Sequence, residues 1–326
     1  MTLTNSNIRL VGIGGYGSMV IDDLLLEEDW EADCIVLTTN HETACTSSAQ
    51  QVIKMSDRGL EAVTKNQETE ADELKVQVRQ ALRGAHIVVI TAGMGVEMSS
   101  RLSLLVAQVA RELGTLIIAF VTTPFAFEGD RRKQQASEDI QQLQAVAHST
   151  IALSNRHLLD SLGSEARMTE AFNASVTVLK DAFRGIKNMV DQNGLINLDP
   201  ADLFSALDKK GQVAMGRGEA GGESKTETAI FKAISTPLLE NSGLKRAEAL
   251  IVMLQVGNDF SVGNLEDIGV ILRNLFNEQT EILIGVSLEK DLCSSVVATI
   301  LATGIPDVQQ PALPSGPPKV AWRTRA

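Results

Sequence analysis

The chain has 326 residues, of which 44% are hydrophobic and 21% are charged, a composition typical of a soluble protein with one large or two medium domains. Its formal net charge of -12 argues against a nucleic-acid-binding protein, because such proteins present basic surfaces to phosphates. The N-terminal residues do not resemble a signal peptide, and the apolar runs are too short to cross a bilayer. We therefore expect a cytoplasmic protein with no direct membrane insertion and no nucleic-acid partner.

Cysteine and histidine give no indication of a metal site. Cys34, Cys45 and Cys293 lack metal-ligand spacing, and the four histidines form neither an HxxH nor an HExxH pattern. We expect reduced thiols, no disulfide and no bound metal.

Strands and helices alternate through the first half of the chain. The predicted strands are Ile8–Ile13, Cys34–Leu37, Ile87–Ile90, Leu116–Val121 and Ser149–Leu153, and the predicted helices are Met19–Leu26 and Glu70–Arg83. Alternation on this scale predicts right-handed βαβ units on a parallel sheet. A glycine-rich turn, Gly12–Gly17, follows the first strand.

The stretch His86–Leu105 is the most informative part of the chain. Gly93 and Gly95 allow a tight turn after the buried strand, and we expect Ser99 or Ser100 to cap the next helix. A strand that enters a helix through glycine aims backbone N–H groups at an anion. Yet residues 96–101 all carry side chains where a phosphate cradle needs bare backbone.

A long amphipathic helix is predicted at Glu170–Val190, from apolar residues at steps of three and four. The elements predicted after it are helices at Asp202–Leu207 and Glu227–Ser235 and strands at Ala249–Val256, Glu281–Val286 and Val296–Ala302. They indicate a second, smaller α/β domain. We divide the chain into a nucleotide-binding domain (1–169), a central helix (170–190), a C-terminal domain (191–305) and a disordered tail (306–326).

Four segments together resemble the FtsZ family of the tubulin superfamily. They are TAGMG from residue 91, VTTPFAFEG from residue 121, AISTPLLE from residue 233 and ATILATGI from residue 298. The resemblance covers roughly residues 8–305. It implies a tubulin/FtsZ-like α/β fold, with a Rossmann-like parallel-sheet nucleotide-binding domain, a long central helix and a second smaller α/β domain. It also implies a cytoskeletal, filament-forming protein of cell division that binds GTP or GDP.

The resemblance also assigns nucleotide contacts. It implies that two glycine loops cradle the phosphates, that Glu128 and Arg132 hold ribose and phosphate, that Asn155 contacts the guanine and that Phe172 stacks on it. The loop glycines are Gly14, Gly15, Gly17, Gly93 and Gly95.

Several positions depart from the family pattern. Tyr16 fills a glycine position of the first loop, and residues 96–101 replace the family's GGTGTG. Glu61 and Glu97 would bring carboxylates toward the γ-phosphate, where like charges repel. Val176 replaces the aspartate that reads guanine, although it also fits the apolar stripe of its helix. We predict weak or absent GTP binding and hydrolysis, with guanine specificity lost.

The segment GLINLDPAD, residues 194–202, resembles the loop through which one FtsZ subunit completes the GTPase site of its neighbour. The resemblance gives Asn197, Asp199 and Asp202 this catalytic role, although Asp199 and Pro200 equally suit a plain helix start. The implied partner is the chain itself, in a head-to-tail filament. Two alternatives remain open: an active FtsZ-family GTPase of cell division, and a non-enzymatic partner that modulates the filaments of a true FtsZ.

Overall fold

The structure is a computed structural model that describes residues 7–26, 32–56, 68–155, 166–190, 194–209, 211–222, 224–236, 244–289, 292 and 294–306. The strands are β1 Ile8–Ile13, β2 Asp33–Thr38, β3 Gln51–Lys54, β4 Ile87–Gly93, β5 Leu116–Thr123, β6 Ser149–Ser154, β7 Gln212–Gly221, β8 Ala249–Val256, β9 Glu281–Leu288 and β10 Ser295–Ile305. The helices are α1 Gly14–Leu25, α2 His41–Thr46, α3 Glu68–Ala81, α4 Glu97–Glu112, α5 Asp130–Val146, α6 Met168–Val190, α7 Pro200–Leu207, α8 Lys225–Ile234 and α9 Val262–Leu275.

Two sheets organise the described residues. The first has the order β3-β2-β1-β4-β5-β6, and all of its pairs are parallel, which confirms the predicted sheet. Its central strands are apolar along their whole length, because helices cover both faces. The second sheet has the order β7-β10-β8-β9; β10 runs antiparallel to both neighbours and β8 runs parallel to β9.

Three apolar cores hold these layers together. One lies between the first sheet and α3, α4 and α5. The second lies between the two sheets and contains α1, α6 and α7. The third lies between the second sheet and α8 and α9. The predicted long helix is therefore the element that joins the two sheets.

Helix α6 packs closely against both sheets. Phe183 meets Phe120 of β5 edge to face, with ring centroids 5.1 Å apart, a contact worth about 1 kcal/mol beyond its buried area. On the other side, a Cβ on Gly185 would clash with Met215 and Thr299 of the second sheet. The glycine thus permits the helix to approach β7 and β10.

Several predicted boundaries were wrong. Helix α1 starts at Gly14, not Met19, because the glycine turn itself winds into the helix. The prediction missed five elements: α2, β3, α5, β7 and α9. In α5 only a narrow stripe, including Ala136 and Leu143, is buried, and β7 contains several glycines, so neither carries a strong apolar pattern.

Some predictions fall outside the described residues. These are the carboxylate of Glu61, the thiol of Cys293, the second half of AISTPLLE and the tail beyond residue 306. The domain boundaries at 169/170 and 190/191 stay predictions. In the described part of the chain, no helix is long and apolar enough to span a membrane.

Candidate functional site: a remodelled nucleotide cleft

The order of the first sheet locates the cleft. Successive strands move outward from β1 in one direction and from β4 in the other, so the order reverses between β1 and β4. Ligands of parallel α/β sheets bind outside the carboxyl ends of the strands at such a reversal. The two predicted glycine loops lie at this point, because they follow β1 and β4.

The first loop retains features of an anion site. Helix α1 begins at Gly14, whose φ is 70°, and Ile13 at its N-cap position provides no side-chain cap. A Cβ on Gly15 would meet nothing within 4 Å, so this residue faces open space. The uncapped N-terminus of this helix therefore presents backbone N–H groups to the cleft.

Gly17, which the resemblance assigns to the phosphate cradle, is also a packing residue. A Cβ at Gly17 would lie 2.5 Å from the carbonyl oxygen of Thr91 and 2.8 Å from the carbonyl carbon of Gly12. This glycine allows α1 to pack against β1 and β4, which is a structural requirement of the fold.

The second loop turns at Gly95, where φ is 84° and a Cβ would lie 2.6 Å from the carbonyl oxygen of Arg132. Gly93 is less constrained, because a Cβ there would make only ordinary contacts with Tyr16 and Thr122. The turn thus requires glycine at position 95 and merely accepts it at position 93.

The predicted serine cap of α4 is wrong. The helix begins at Glu97, and Val96 occupies the N-cap position without a side-chain hydrogen bond. Ser100 instead donates to the Val96 carbonyl and to the Asp139 carboxylate of α5, while Ser99 is buried. The helix starts earlier because Val96 and Glu97, which stand where the family pattern has two glycines, form its N-cap and its first residue.

Met98 lies between the two loops. Its Sδ accepts a hydrogen bond from Thr39 Oγ1 at 3.1 Å, just beyond the end of β2. A Cβ on Gly14 would lie 3.0 Å from the Met98 methyl carbon and 2.9 Å from Ser99 Oγ. Val96 and Glu97 are exposed, so Met98 and Ser99 are the substituted residues that pack against the first loop.

Tyr16 ties the first loop to the central helix. Its hydroxyl donates to Ser175 Oγ at 2.9 Å, and Ser175 donates to the Phe172 carbonyl at 2.7 Å. Burial raises the pKa of Tyr16 to about 12, although hydrogen bonds with Ser175 and Thr122 oppose this shift. Nothing in the sequence pattern indicated that Ser175 would take part in the site.

Three of the residues assigned to sugar, phosphate and base (Glu128, Arg132 and Phe172) are linked through Phe125. Phe172 meets Phe125 edge to face with centroids 5.1 Å apart, and Phe125 stacks on the exposed Phe127 at 5.3 Å. Glu128 accepts from the Phe125 amide at 2.8 Å and from Arg132 Nη1 at 2.7 Å. The predicted Glu128–Arg132 pair is thus assembled, with each side chain already bound to the other.

Asn155 is buried, with 4% of its surface exposed, and its Oδ1 is among the described buried atoms that lack a hydrogen-bond partner. Such an atom suits a ligand that supplies the missing donor. Val176, also 4% exposed, belongs to the core between the two sheets, as the apolar stripe of its helix indicated.

The acidic loop begins beside the second sheet. Ile196 exchanges backbone hydrogen bonds with Val286 of β9, and Asn197 Oδ1 accepts from the Gly194 amide at 2.9 Å. Asp199 caps α7 by accepting from the Ala201 amide at 2.7 Å. Asp202 is exposed on the first turn of this helix. Asn197 and Asp199 therefore have local structural roles.

A guanine nucleotide fits one half of this cleft and not the other. The orphaned oxygen of Asn155 and the ring of Phe172 suit a purine base. The phosphate half does not fit, because Met98 packs on Gly14 and α4 begins with side-chain-bearing residues. Among the described residues, no group of three or more histidine, cysteine, aspartate or glutamate side chains could hold a metal ion.

The fold and the position of its cleft define a protein of the tubulin/FtsZ class. The GTPase domain of the Tubulin/FtsZ family matches residues 7–163, and the C-terminal domain of the FtsZ family matches residues 211–306. The cell division proteins FtsZ of Coxiella burnetii and of Buchnera aphidicola subsp. Schizaphis graminum are each 32% identical over 306 residues. These matches cover 92% of this chain, and 79% and 80% of those proteins, respectively. The chain belongs to the FtsZ family.

Solved structures agree on the fold. The empty FtsZ dimer of M. jannaschii superposes with a TM-score of 0.81 at 23% identity, over 93% of this chain and 89% of that one. CetZ2 from Haloferax volcanii, a GTPγS-bound protofilament, gives a TM-score of 0.74 at 14% identity, over 93% of this chain and 94% of that one.

Proposed function

We propose that this protein is a cytoplasmic, filament-forming FtsZ-family member whose GTP binding and hydrolysis are weak or absent. The observation that carries this proposal is the position of Met98, which packs between Gly14 and Thr39 where a phosphate would approach the first loop. Tyr16 adds to it by occupying space between that loop and α6.

Head-to-tail assembly is the second part of the proposal. The segment 194–202 exposes two apolar side chains, Leu195 at 66% and Ile196 at 39%, next to the exposed carboxylates of Asp199 and Asp202. Exposed apolar side chains beside charged ones are common at protein interfaces. A head-to-tail contact is heterologous, so it produces open filaments unless it closes into a ring.

The nucleotide content of the purified protein tests the first part. We expect denaturation to release far less than one guanine nucleotide per chain. Stoichiometric GDP or GTP would contradict the proposal and support an active GTPase.

Sedimentation tests the second part. We expect the protein to pellet without added nucleotide, and Leu195→Ser to reduce pelleting. Val76→Ser is the matched control, because Val76 is 52% exposed on α3, which packs against the first sheet, whereas this loop borders the second sheet. A protein that stays monomeric at high concentration, with and without GTP, would contradict assembly.

An active GTPase of cell division is the second candidate function. The buried, unpartnered Asn155 oxygen favours it, together with the assembled Glu128–Arg132 pair. Clear GTP turnover that is lost in Asp202→Asn would establish this candidate.

A modulator of another FtsZ is a variant of the preferred function. Such a subunit would offer Asp199 and Asp202 to the GTPase site of one neighbouring FtsZ subunit. Its own altered nucleotide cleft would present no γ-phosphate to the neighbour at the other end. Titration into an FtsZ from the same cell, followed by GTPase rate and co-sedimentation, tests this. An unchanged rate without co-pelleting would exclude it.

A further inference from the structure

A second cavity, of about 520 Å³, lies away from the nucleotide cleft. It is bounded by the last turns of α4 and α5, the start of β6 and the end of α7. Because β6 begins here, the cavity lies at the amino ends of the parallel strands, whereas the glycine loops follow their carboxyl ends. Its volume is in the range of sites for small molecules.

Thr150 provides the most specific feature of this cavity. The residue lines the cavity and is 6% exposed, and its hydroxyl is among the described buried polar atoms without a hydrogen-bond partner. Buried hydroxyl groups in folded proteins are normally paired. A ligand that hydrogen-bonds to Thr150 would remove this deficit.

His148 presents a second donor to the cavity. Its Nδ1 accepts a hydrogen bond from the Ile117 amide at 3.0 Å, so the proton of the neutral ring is on Nε2. Burial lowers the pKa of His148, with a smaller contribution from Arg111 and an opposing one from Asp208. The ring is therefore neutral at pH 7 and donates through Nε2.

The described residues that line this space include two cations, Arg111 and Lys209, and one carboxylate, Asp208. Arg111 donates one hydrogen bond to the Val146 carbonyl at 2.7 Å, and the guanidinium carries further N–H groups. Lys209 forms an ion pair with Glu281 at 3.5 Å, and Asp208 is exposed at the rim. Gln141 and Gln144 also line the cavity, and their amides can donate hydrogen bonds.

We propose that this cavity binds a small anion through a carboxylate or phosphate group. Thr150 and His148 donate hydrogen bonds to it, Arg111 supplies positive charge, and Lys209 adds charge that its ion pair with Glu281 partly offsets. This site is independent of the nucleotide cleft, so its existence does not depend on whether the protein binds GTP.

Calorimetric titration of the full chain with inorganic phosphate and with succinate tests the proposal. We expect saturable binding at millimolar concentration and competition between the two probes if both bind. Thr150→Val should weaken binding about tenfold, since it removes one hydrogen bond to a charged ligand without changing side-chain shape. Lys209→Gln should also weaken it.

Thr226→Val is the matched control. Thr226 is also 6% exposed with an unpartnered hydroxyl, but it lies on α8. Both valine variants should retain or raise the melting temperature, and only Thr150→Val should lose affinity. The proposal would be overturned if neither phosphate nor succinate binds. It would also be overturned if binding is unchanged in both Thr150→Val and Lys209→Gln, which is the result expected if phosphate binds at the glycine loops instead. If Thr150→Val unfolds, the Lys209→Gln titration decides.

Discussion

The Sδ of Met98 lies 3.1 Å from the hydroxyl of Thr39, and this contact places a thioether beside the first glycine loop. Met98 affects only part of the first loop, because its methyl group packs against Gly14. The N-terminus of α1 remains uncapped and Gly15 faces open space. Methionine is flexible, so its side chain adapts to the irregular space between α1, α4 and the end of β2.

Replacing Met98 with alanine should therefore strengthen nucleotide binding. The variant frees space beside Gly14, and one regained hydrogen bond from the backbone to a phosphate is worth about tenfold in affinity. Titration with a fluorescent GDP analogue measures the change. Met19→Ala, on an exposed position of α1, is the control and should bind like the unaltered protein. A folded Met98→Ala protein with unchanged affinity would show that Met98 does not limit binding.

Much of this fold could be predicted from sequence, and the cleft only in part. The strands Ile8–Ile13 and Ala249–Val256 were predicted with their observed bounds, because a short and mostly apolar segment marks a buried strand. Both glycine loops were also located from the sequence, because each directly follows a predicted strand. The contact between Met98 and Thr39 could not be predicted, since it joins residues 59 positions apart through a flexible side chain.

The acidic loop illustrates a second limit. The Asp199 cap was an alternative that the sequence left open, because aspartate before proline is a local pattern, and the predicted helix start at Asp202 was two residues too late. The hydrogen bond from the Gly194 amide to Asn197 was missed, although both residues lie in the same short turn. Which of these residues serve a neighbouring subunit depends on a contact that a single chain does not contain.

Tyr16 should titrate near pH 12. It is the only tyrosine in the chain, so tyrosinate absorbance reports this residue alone. Burial raises its pKa to about 12 from the usual 10, because the ionised phenolate is poorly solvated there. Half-titration near pH 10 in a protein that is still folded would contradict the buried position.

The same shift predicts a loss of stability in alkali. Between pH 10 and 12 the unfolded chain has released the Tyr16 proton and the folded chain still holds it, so the free energy of unfolding falls as pH rises. The slope is about 1.4 kcal/mol per pH unit. Tyr16→Phe should remove this slope and cost about 1 kcal/mol near pH 7 through the lost bond to Ser175. Urea unfolding at several pH values measures the alkaline slope and the cost near pH 7. If the free energy of unfolding depends on pH equally in the unaltered protein and in Tyr16→Phe, Tyr16 does not cause the alkaline loss of stability.

Asn155→Ala should affect ligand binding more than folding. Because the Asn155 oxygen has no described hydrogen-bond partner, the variant loses little polar interaction, and its cost should not exceed about 2 kcal/mol. Any residual affinity for a guanine nucleotide should fall about tenfold or more. Thermal unfolding and fluorescent-nucleotide titration check the two effects. A severe loss of stability with unchanged affinity would make Asn155 a structural residue only.

Three variants at the start of α7 separate helix capping from assembly. Asp199→Ala should lower the free energy of unfolding by about 1 kcal/mol, since its carboxylate caps the helix through the Ala201 amide. Asp199→Ser keeps a capping oxygen and removes the charge, so it should preserve stability. Asp202→Asn is exposed and should change stability by no more than about 1 kcal/mol through the helix dipole. If the loop forms the head-to-tail contact, all three variants should reduce sedimentation, although only Asp199→Ala is destabilised. Normal pelleting of Asp199→Ser and Asp202→Asn would show that these carboxylates serve the helix and not the filament.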